Sequence, residues 1–88
     1  MRVSFEPAAV EHLHHWITTD PKMARKILEL LDDARRSPFK GLGKPEPLKG
    51  NLKGWWSRRI DDEHRLIYRL IGSGDDQRIE VLQCRWHY

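Results

Sequence analysis

At 88 residues the chain has room for one domain, residues 1–88, with one modest core and no separate substrate domain. Hydrophobic residues at 39% and charged residues at 33% are ordinary for a globular protein. No stretch approaches the run of about 18 apolar residues that crosses a membrane, and MRVSFEP lacks the apolar core of a signal peptide, so the expected location is the cytoplasm.

In chain order, Val3 and Phe5 alternate with polar neighbours and predict a short strand over residues 1–5. Pro7 suits a first helical turn, and Ala9, Leu13, Trp16 and Ile17 recur on one face of a helix ending near Thr18. Asp20 then reads as an N-cap with Pro21 at the first helical position. Ala24, Ile27, Leu28, Leu31 and Ala34 form the stripe of a second helix, making a hairpin with the first. SPFKGLGKPEPLKGNLKG, residues 37–54, holds three prolines and four glycines and predicts a loop. Beyond it, residues 55–60 and 65–71 read as strands joined by the turn DDEH, and GSGDDQ leads to a last strand from Arg78 to Cys84 or beyond. The expected class is α+β: an N-terminal strand and a helical hairpin packed on one face of a twisted antiparallel sheet.

The net charge of +3 is unevenly spread. Residues 1–34 carry −2, residues 35–65 carry +5 and residues 66–88 are balanced. A basic middle is a footprint for phosphates, and equally the composition of a solvated loop. On the strand from Arg65, alternation sends Leu66, Tyr68 and Leu70 to the helices and Arg65, Ile67 and Arg69 to the other face. If Ser57 and Arg59 share that open face, two guanidiniums stand side by side, either solvated or bridged by an anion such as a phosphodiester.

Within the basic loop, KPEPLK fixes Glu46 between two prolines and two lysines, as a candidate general base or as a carboxylate that balances Lys44 and Lys49. Metal-free cleavage of RNA needs a base for the 2′-hydroxyl, cations for the phosphorane and an acid for the leaving 5′-oxygen. Glu46, Arg65 and His87 supply one candidate for each. His12 and His15 have the i, i+3 spacing of metal ligands, but no further ligand set completes a site, and they read as solvated helix histidines. His64 is expected to cap its turn, and Cys84, the one cysteine, to be a small buried hydrophobe. Trp16 is core or interface. Trp55, Trp56 and Trp86 lie near the basic face as candidate stacking surfaces, with at least one of them core.

RRSPFKGLGKPEPLKGNLKGWWSRRIDDEHRLIYRL and the terminal CRWHY together resemble the Txe/YoeB family of bacterial toxins in the RelE superfamily. The resemblance covers nearly the whole chain. It implies a compact fold like that of microbial ribonucleases and a ribosome-dependent mRNA endonuclease that needs no metal or other cofactor. Its implied partners are the ribosome, mRNA and a YefM-type antitoxin, with a homodimer left open and no membrane involved. By that likeness Glu46 in GKPEPLK is the base, Arg65 in EHRLIY the transition-state cation and His87 in the terminal HY the general acid. Lys49 and Arg59 contact phosphate, and Tyr88 helps shape the site. Trp86 stands where a tyrosine is expected, and GSGDDQ looks longer than the usual hairpin connection. Two rival readings are a noncatalytic superfamily relative that binds a protein such as gyrase and an RNA-binding module without turnover.

Overall fold

The computed structural model describes residues 1–87. Its elements in order are β1 (Arg2–Phe5), α1 (Pro7–Thr19), α2 (Pro21–Arg36), β2 (Glu46–Pro47), β3 (Trp56–Arg59), β4 (Arg65–Ile71) and β5 (Arg78–Gln83), with short 3₁₀ turns at Gly50–Leu52 and Gly74–Asp76. They form one five-stranded sheet in the order β1-β5-β4-β3-β2. The expected antiparallel meander is present as β3, β4 and β5. β2, which was not expected, pairs antiparallel with β3, and β1 adds a parallel edge beside β5, with Arg2 opposite Arg78 and Phe5 opposite Val81.

The helices separate where Pro21 lacks the N–H and the space to continue α1. Asp20 occupies the junction, its backbone N–H donating to the Trp16 carbonyl, but its side chain makes no capping bond. The core lies between this hairpin and one face of the sheet. Ala9, Trp16, Ala24, Ile27, Leu31 and Ala34 from the helices meet Leu66, Tyr68, Ile79, Val81 and Cys84. Burying a Leu or Ile side chain fully contributes about 1.5 to 3 kcal/mol. Two positions of the expected stripes turn outward: Ile17 and Leu28 are more than half exposed, and Leu30 is buried instead. Leu28 sits at the edge of the stripe, beside a shallow recess it lines with Val3, Phe5 and Leu31, so the helix rotates toward Leu30.

A buried arginine ties the loop after α2 to the core. The Arg58 side chain lies on the helix-packed face, opposite Leu66 in the register. Its Nε donates to Tyr68 Oη (2.9 Å), Nη1 to Asp33 Oδ2 (2.6 Å) and the Leu42 carbonyl (3.0 Å), and Nη2 to the carbonyls of Ser37 (2.7 Å) and Lys40 (3.0 Å). That satisfies all five guanidinium donors. The hydrogen bond from Arg58, with one from the Leu42 N–H, holds the Asp33 carboxyl below the usual aspartate range. The Tyr68 hydroxyl in turn donates a hydrogen bond to the Pro38 carbonyl (2.6 Å).

Candidate active site on the helix-free face

Residues directly opposite in neighbouring strands share a face of the sheet. Across the helix-free face, Glu46 lies opposite Ser57, Ser57 opposite Ile67 and Ile67 opposite Gln83, so one row runs from β2 to β5. The next row places Arg59 directly opposite Arg65. Neighbouring strands are about 4.8 Å apart and alternate residues about 7 Å along a strand, so Glu46 and the arginine pair fall within reach of one phosphodiester and its ribose. The stretch expected to be all loop thus contains a two-residue strand. Its flanking Pro45 and Pro47 hide it from any propensity argument, and pairing with Trp56 and Ser57 makes it.

Gly43 and Lys44 set the approach to Glu46. The Arg59 N–H donates to the Gly43 carbonyl (2.7 Å). Gly43 has φ 78°, and a Cβ there would stand 3.0 Å from the Arg59 carbonyl oxygen and from Leu30 Cδ2, so only glycine fits without displacement. Lys44 follows at φ 52°.

The charges on this face divide into used and unused. Arg69 Nε donates to Glu80 Oε1 (2.8 Å), and its guanidinium lies over the Trp55 ring at 4.4 Å. That contact puts Trp55 on the open side. Trp56, opposite Tyr68, packs against the core and Phe39. Arg65 Nη1 donates to the carbonyls of Asp61 (2.7 Å) and His64 (3.1 Å). Among the described residues, Arg59, Arg65 and Lys49 form no ion pair with a carboxylate. Glu46, Lys49 and Arg59 are exposed and Arg65 is half-buried.

The chain end is fastened to this face. The Arg65 N–H donates to the Trp86 carbonyl (3.0 Å), and the Trp86 N–H donates to His64 Nδ1 (2.7 Å). Gln83 Nε2 bridges the carbonyls of Arg85 (3.2 Å) and His87 (3.1 Å). Behind them the Cys84 N–H donates to His12 Nδ1 (3.2 Å) and the Trp16 indole N–H to the Cys84 carbonyl (2.9 Å). Burial pushes the Cys84 thiol up to about 12, as suits an unreactive core cysteine. Trp86 is half exposed, with the Arg85 guanidinium over its ring at 4.2 Å and His12 against it edge-on. His87 is exposed, next to the residue that pairs with Arg65. Tyr88 lies outside the described residues.

His12 corrects the expectation of solvated histidines, because it is half-buried and binds the tail. Burial first, then the Arg85 charge, keep its pKa below the ordinary histidine value, which suits a ring that must stay neutral to accept. His64 ends its turn as expected, its N–H donating to Asp61 Oδ1 (2.7 Å), but its ring serves the tail, which sequence spacing did not reveal. Among the described residues, only Lys44 and Trp86 combine a side chain with positive φ. Such backbone costs about 1 to 3 kcal/mol and persists where the surroundings enforce it. One stands two residues before Glu46 and the other one residue before His87.

A cavity of about 480 Å³ opens between α2 and the β3–β4 turn, lined by residues including Lys26, Glu29, Leu42, Lys44 and Arg59. It contains none of Glu46, Arg65 or His87, so the candidate site is the open face of the sheet. Among the described residues no group of three or more His, Cys, Asp or Glu is placed to hold a metal ion, and no helix is long and apolar enough to cross a membrane.

Comparison with known proteins matches residues 5–88 to the family model described as the YoeB-like toxin of bacterial type II toxin-antitoxin systems. Toxin RelK of Mycobacterium tuberculosis is 52% identical over 86 residues, 98% of this chain and 96% of that protein. The solved YoeB/ParE toxin from Agrobacterium tumefaciens superposes with a TM-score of 0.97 at 51% identity, covering 100% of both chains. A heterotetrameric YoeB-YefM toxin-antitoxin complex from Staphylococcus aureus matches at 43% identity and TM-score 0.87, over 100% of this chain and 98% of that one. The YoeB dimer from the same organism matches at 43% identity and TM-score 0.86, with the same coverage. With its whole length matched at about half identity, this chain belongs to the YoeB-like toxins of bacterial type II toxin-antitoxin systems.

Proposed function

We propose that this toxin is an mRNA endonuclease acting in the ribosomal A site, in the cytoplasm, without a metal. One observation carries the reading: the sheet register gathers a carboxylate, two facing arginines and a fastened histidine-bearing tail on the face that the helices leave open. Glu46 takes the proton of the ribose 2′-hydroxyl, and the oxygen attacks the adjacent phosphorus. Arg65, with Arg59 and Lys49, stabilises the charge that grows on the phosphoryl oxygens, where a preorganised donor contributes about 3 to 4 kcal/mol. His87 in its protonated form gives a proton to the leaving 5′-oxygen. The products are a 2′,3′-cyclic phosphate and a 5′-hydroxyl end, and the proton lost to Glu46 balances the one given by His87. Trp55 and Trp86 offer aromatic surface for the flanking bases, and Tyr88 is assigned to the same site.

A small open face grips RNA weakly, so the ribosome supplies the alignment, which lowers barriers by about 7 to 11 kcal/mol when reactants are held in place. The same cationic face suits an acidic or amphipathic segment of a YefM-type antitoxin, and the S. aureus complex and dimer support an antitoxin partner and a homodimer here. The test is to map RNA ends on a message translated in a purified system. Cleavage within the A-site codon that leaves cyclic phosphate ends and is lost in Glu46→Ala supports the reading. Equal cutting of naked and translated message removes the ribosome from it, and inhibition of growth with intact message favours a protein target instead.

A further inference from the structure

We propose that His64 is a positioning residue for the candidate general acid: its neutral imidazole, accepting at Nδ1, holds Trp86 in the left-handed conformation and so fixes the backbone that carries His87. The inference rests on His87 belonging to the site. Three features of the fold carry it.

Among the described residues Trp86, at φ 64°, is the bulkier of the two side-chain-bearing residues with positive φ, and such residues rarely adopt this conformation. Both its backbone groups are taken by adjacent residues of one turn, the N–H by His64 Nδ1 at 2.7 Å and the carbonyl by the Arg65 N–H at 3.0 Å. The His64–Trp86 bond is the only one of the two that a side chain makes, so it alone is open to removal by substitution.

The backbone of His64 is anchored in its turn and its ring is packed on one side. The His64 N–H donates to Asp61 Oδ1 (2.7 Å), and its carbonyl accepts from the Ile60 N–H (3.0 Å). Trp16 packs against the imidazole edge-on with centroids 4.7 Å apart. Nε2 stands 3.7 Å from Glu63 Oε1, too long for a hydrogen bond but a field that favours the proton on Nε2. With that proton on Nε2, Nδ1 keeps its lone pair for Trp86.

The same turn holds Arg65, whose Nη1 donates to the carbonyls of Asp61 and His64. His64 therefore links the candidate cation and the candidate acid through one rigid frame, with a geometric tolerance that catalysis requires: a displacement of about 1 Å can cost 10²-fold in rate.

The experiment compares His64→Leu, which removes the acceptor, with His64→Asn, whose Oδ1 replaces Nδ1 as an acceptor. Hydrogen exchange of the Trp86 amide, single-turnover cleavage on ribosomes programmed with a defined message, and thermal unfolding are measured for each, and the imidazole ¹⁵N shifts for the parent protein. The expected results are an Nε2–H tautomer of His64 in the parent, and lost Trp86 protection with cleavage slowed about 10²-fold in His64→Leu. His64→Asn should recover most of both losses, and a measured unfolding midpoint near that of the parent protein separates positioning from collapse. An Nδ1–H tautomer, parent-like Trp86 protection in His64→Leu, or an Asn variant no better than Leu overturns the proposal. Full activity of His87→Ala is a different result: it removes the general-acid assignment and with it the catalytic purpose of the contact, while the exchange data still decide whether His64 holds the tail.

Discussion

Arg58 and Arg59 are neighbours in sequence and opposites in role. Alternation along β3 turns Arg58 toward the helices, where it is fully buried and all five donors are spent on Tyr68, Asp33 and three loop carbonyls. Arg59 faces out on the other side, opposite Arg65, with no carboxylate partner among the described residues. The lesson is that the two faces of one sheet use the same chemistry for different ends. On the helix-packed face a guanidinium is neutralised so that it builds structure. On the open face Arg69 is paired with Glu80, whereas Arg59 and Arg65 have no carboxylate partner among the described residues, and under the proposed function they are the pair that meets an anion.

The strongest test of this contrast is a pair of substitutions. Arg58→Ala takes the guanidinium from the Asp33 carboxylate, which keeps the Leu42 N–H, and from three carbonyls. Breaking a largely buried pair typically costs about 3 to 5 kcal/mol; urea unfolding should show it as a large fall in midpoint. Arg59→Ala should stay within about 0.5 kcal/mol of the parent protein, and an equal loss in both would remove the division between the faces. Next in size, Arg65→Ala should slow single-turnover cleavage by about 10² to 10³, as expected for a donor to developing negative charge, with its unfolding midpoint little changed. A variant that cleaves at the parent rate ends the claim that the open face holds a catalytic cation.

Gly43→Ala probes the point where the faces meet, because the new Cβ presses on the Arg59 carbonyl, Leu30 and Arg58 together. Holding alanine at this positive φ should cost about 1 to 3 kcal/mol. Cleavage should fall as well, since the displaced segment leads to Glu46; a loss of stability with full activity would uncouple Gly43 from the site.

The smallest effects are expected from pH, and they should fall in different windows. Asp33 titrates below its ordinary value of 3.8 in the folded protein, so its contribution is present above that value and is lost as pH falls through the lower folded one. His12 is likewise lowered, by burial and then by Arg85, so the unfolded chain takes up its proton first. Its contribution is complete above about 6.5 and declines as pH falls below that. Unfolding midpoints of the parent protein, Asp33→Asn and His12→Asn from pH 3 to 8 would separate the windows, and exchange at the Cys84 amide should rise in the higher one. A Cys84 amide indifferent to pH across that window contradicts the role of His12.

Much of this division was legible in the chain. Period-two alternation placed Leu66 and Tyr68 on the core and Arg65 on the other face, because a half-buried strand records its faces residue by residue. That Arg59 shares the face of Arg65 was only a condition there, and the register supplies it. The two prolines likewise marked both helix starts. The partners of Arg58 were not legible: its network joins residues 33 to 68, and nothing local distinguishes it from Arg59. Nor was the bond between His12 and Cys84, which are 72 positions apart. The concentration of positive charge in residues 35–65 overstated the supply at the surface, since Arg58 is consumed inside. Leu28 was misplaced because a stripe three residues wide has an edge, and only packing decides which side of it is buried.

The place of β5 sets an order of assembly. It lies between β1 and β4, yet it is made after both, and the pairing of Arg2 with Arg78 joins positions 76 apart. A nascent chain that has emerged only through β4 has no strand to connect its first five residues to the meander, and its helical hairpin lacks Ile79, Val81 and Cys84 to pack on. Such long-range closure is slow relative to local folding. The strand that completes the core also carries the tail to the open face, so under the proposed function the candidate site is assembled only after both have been made.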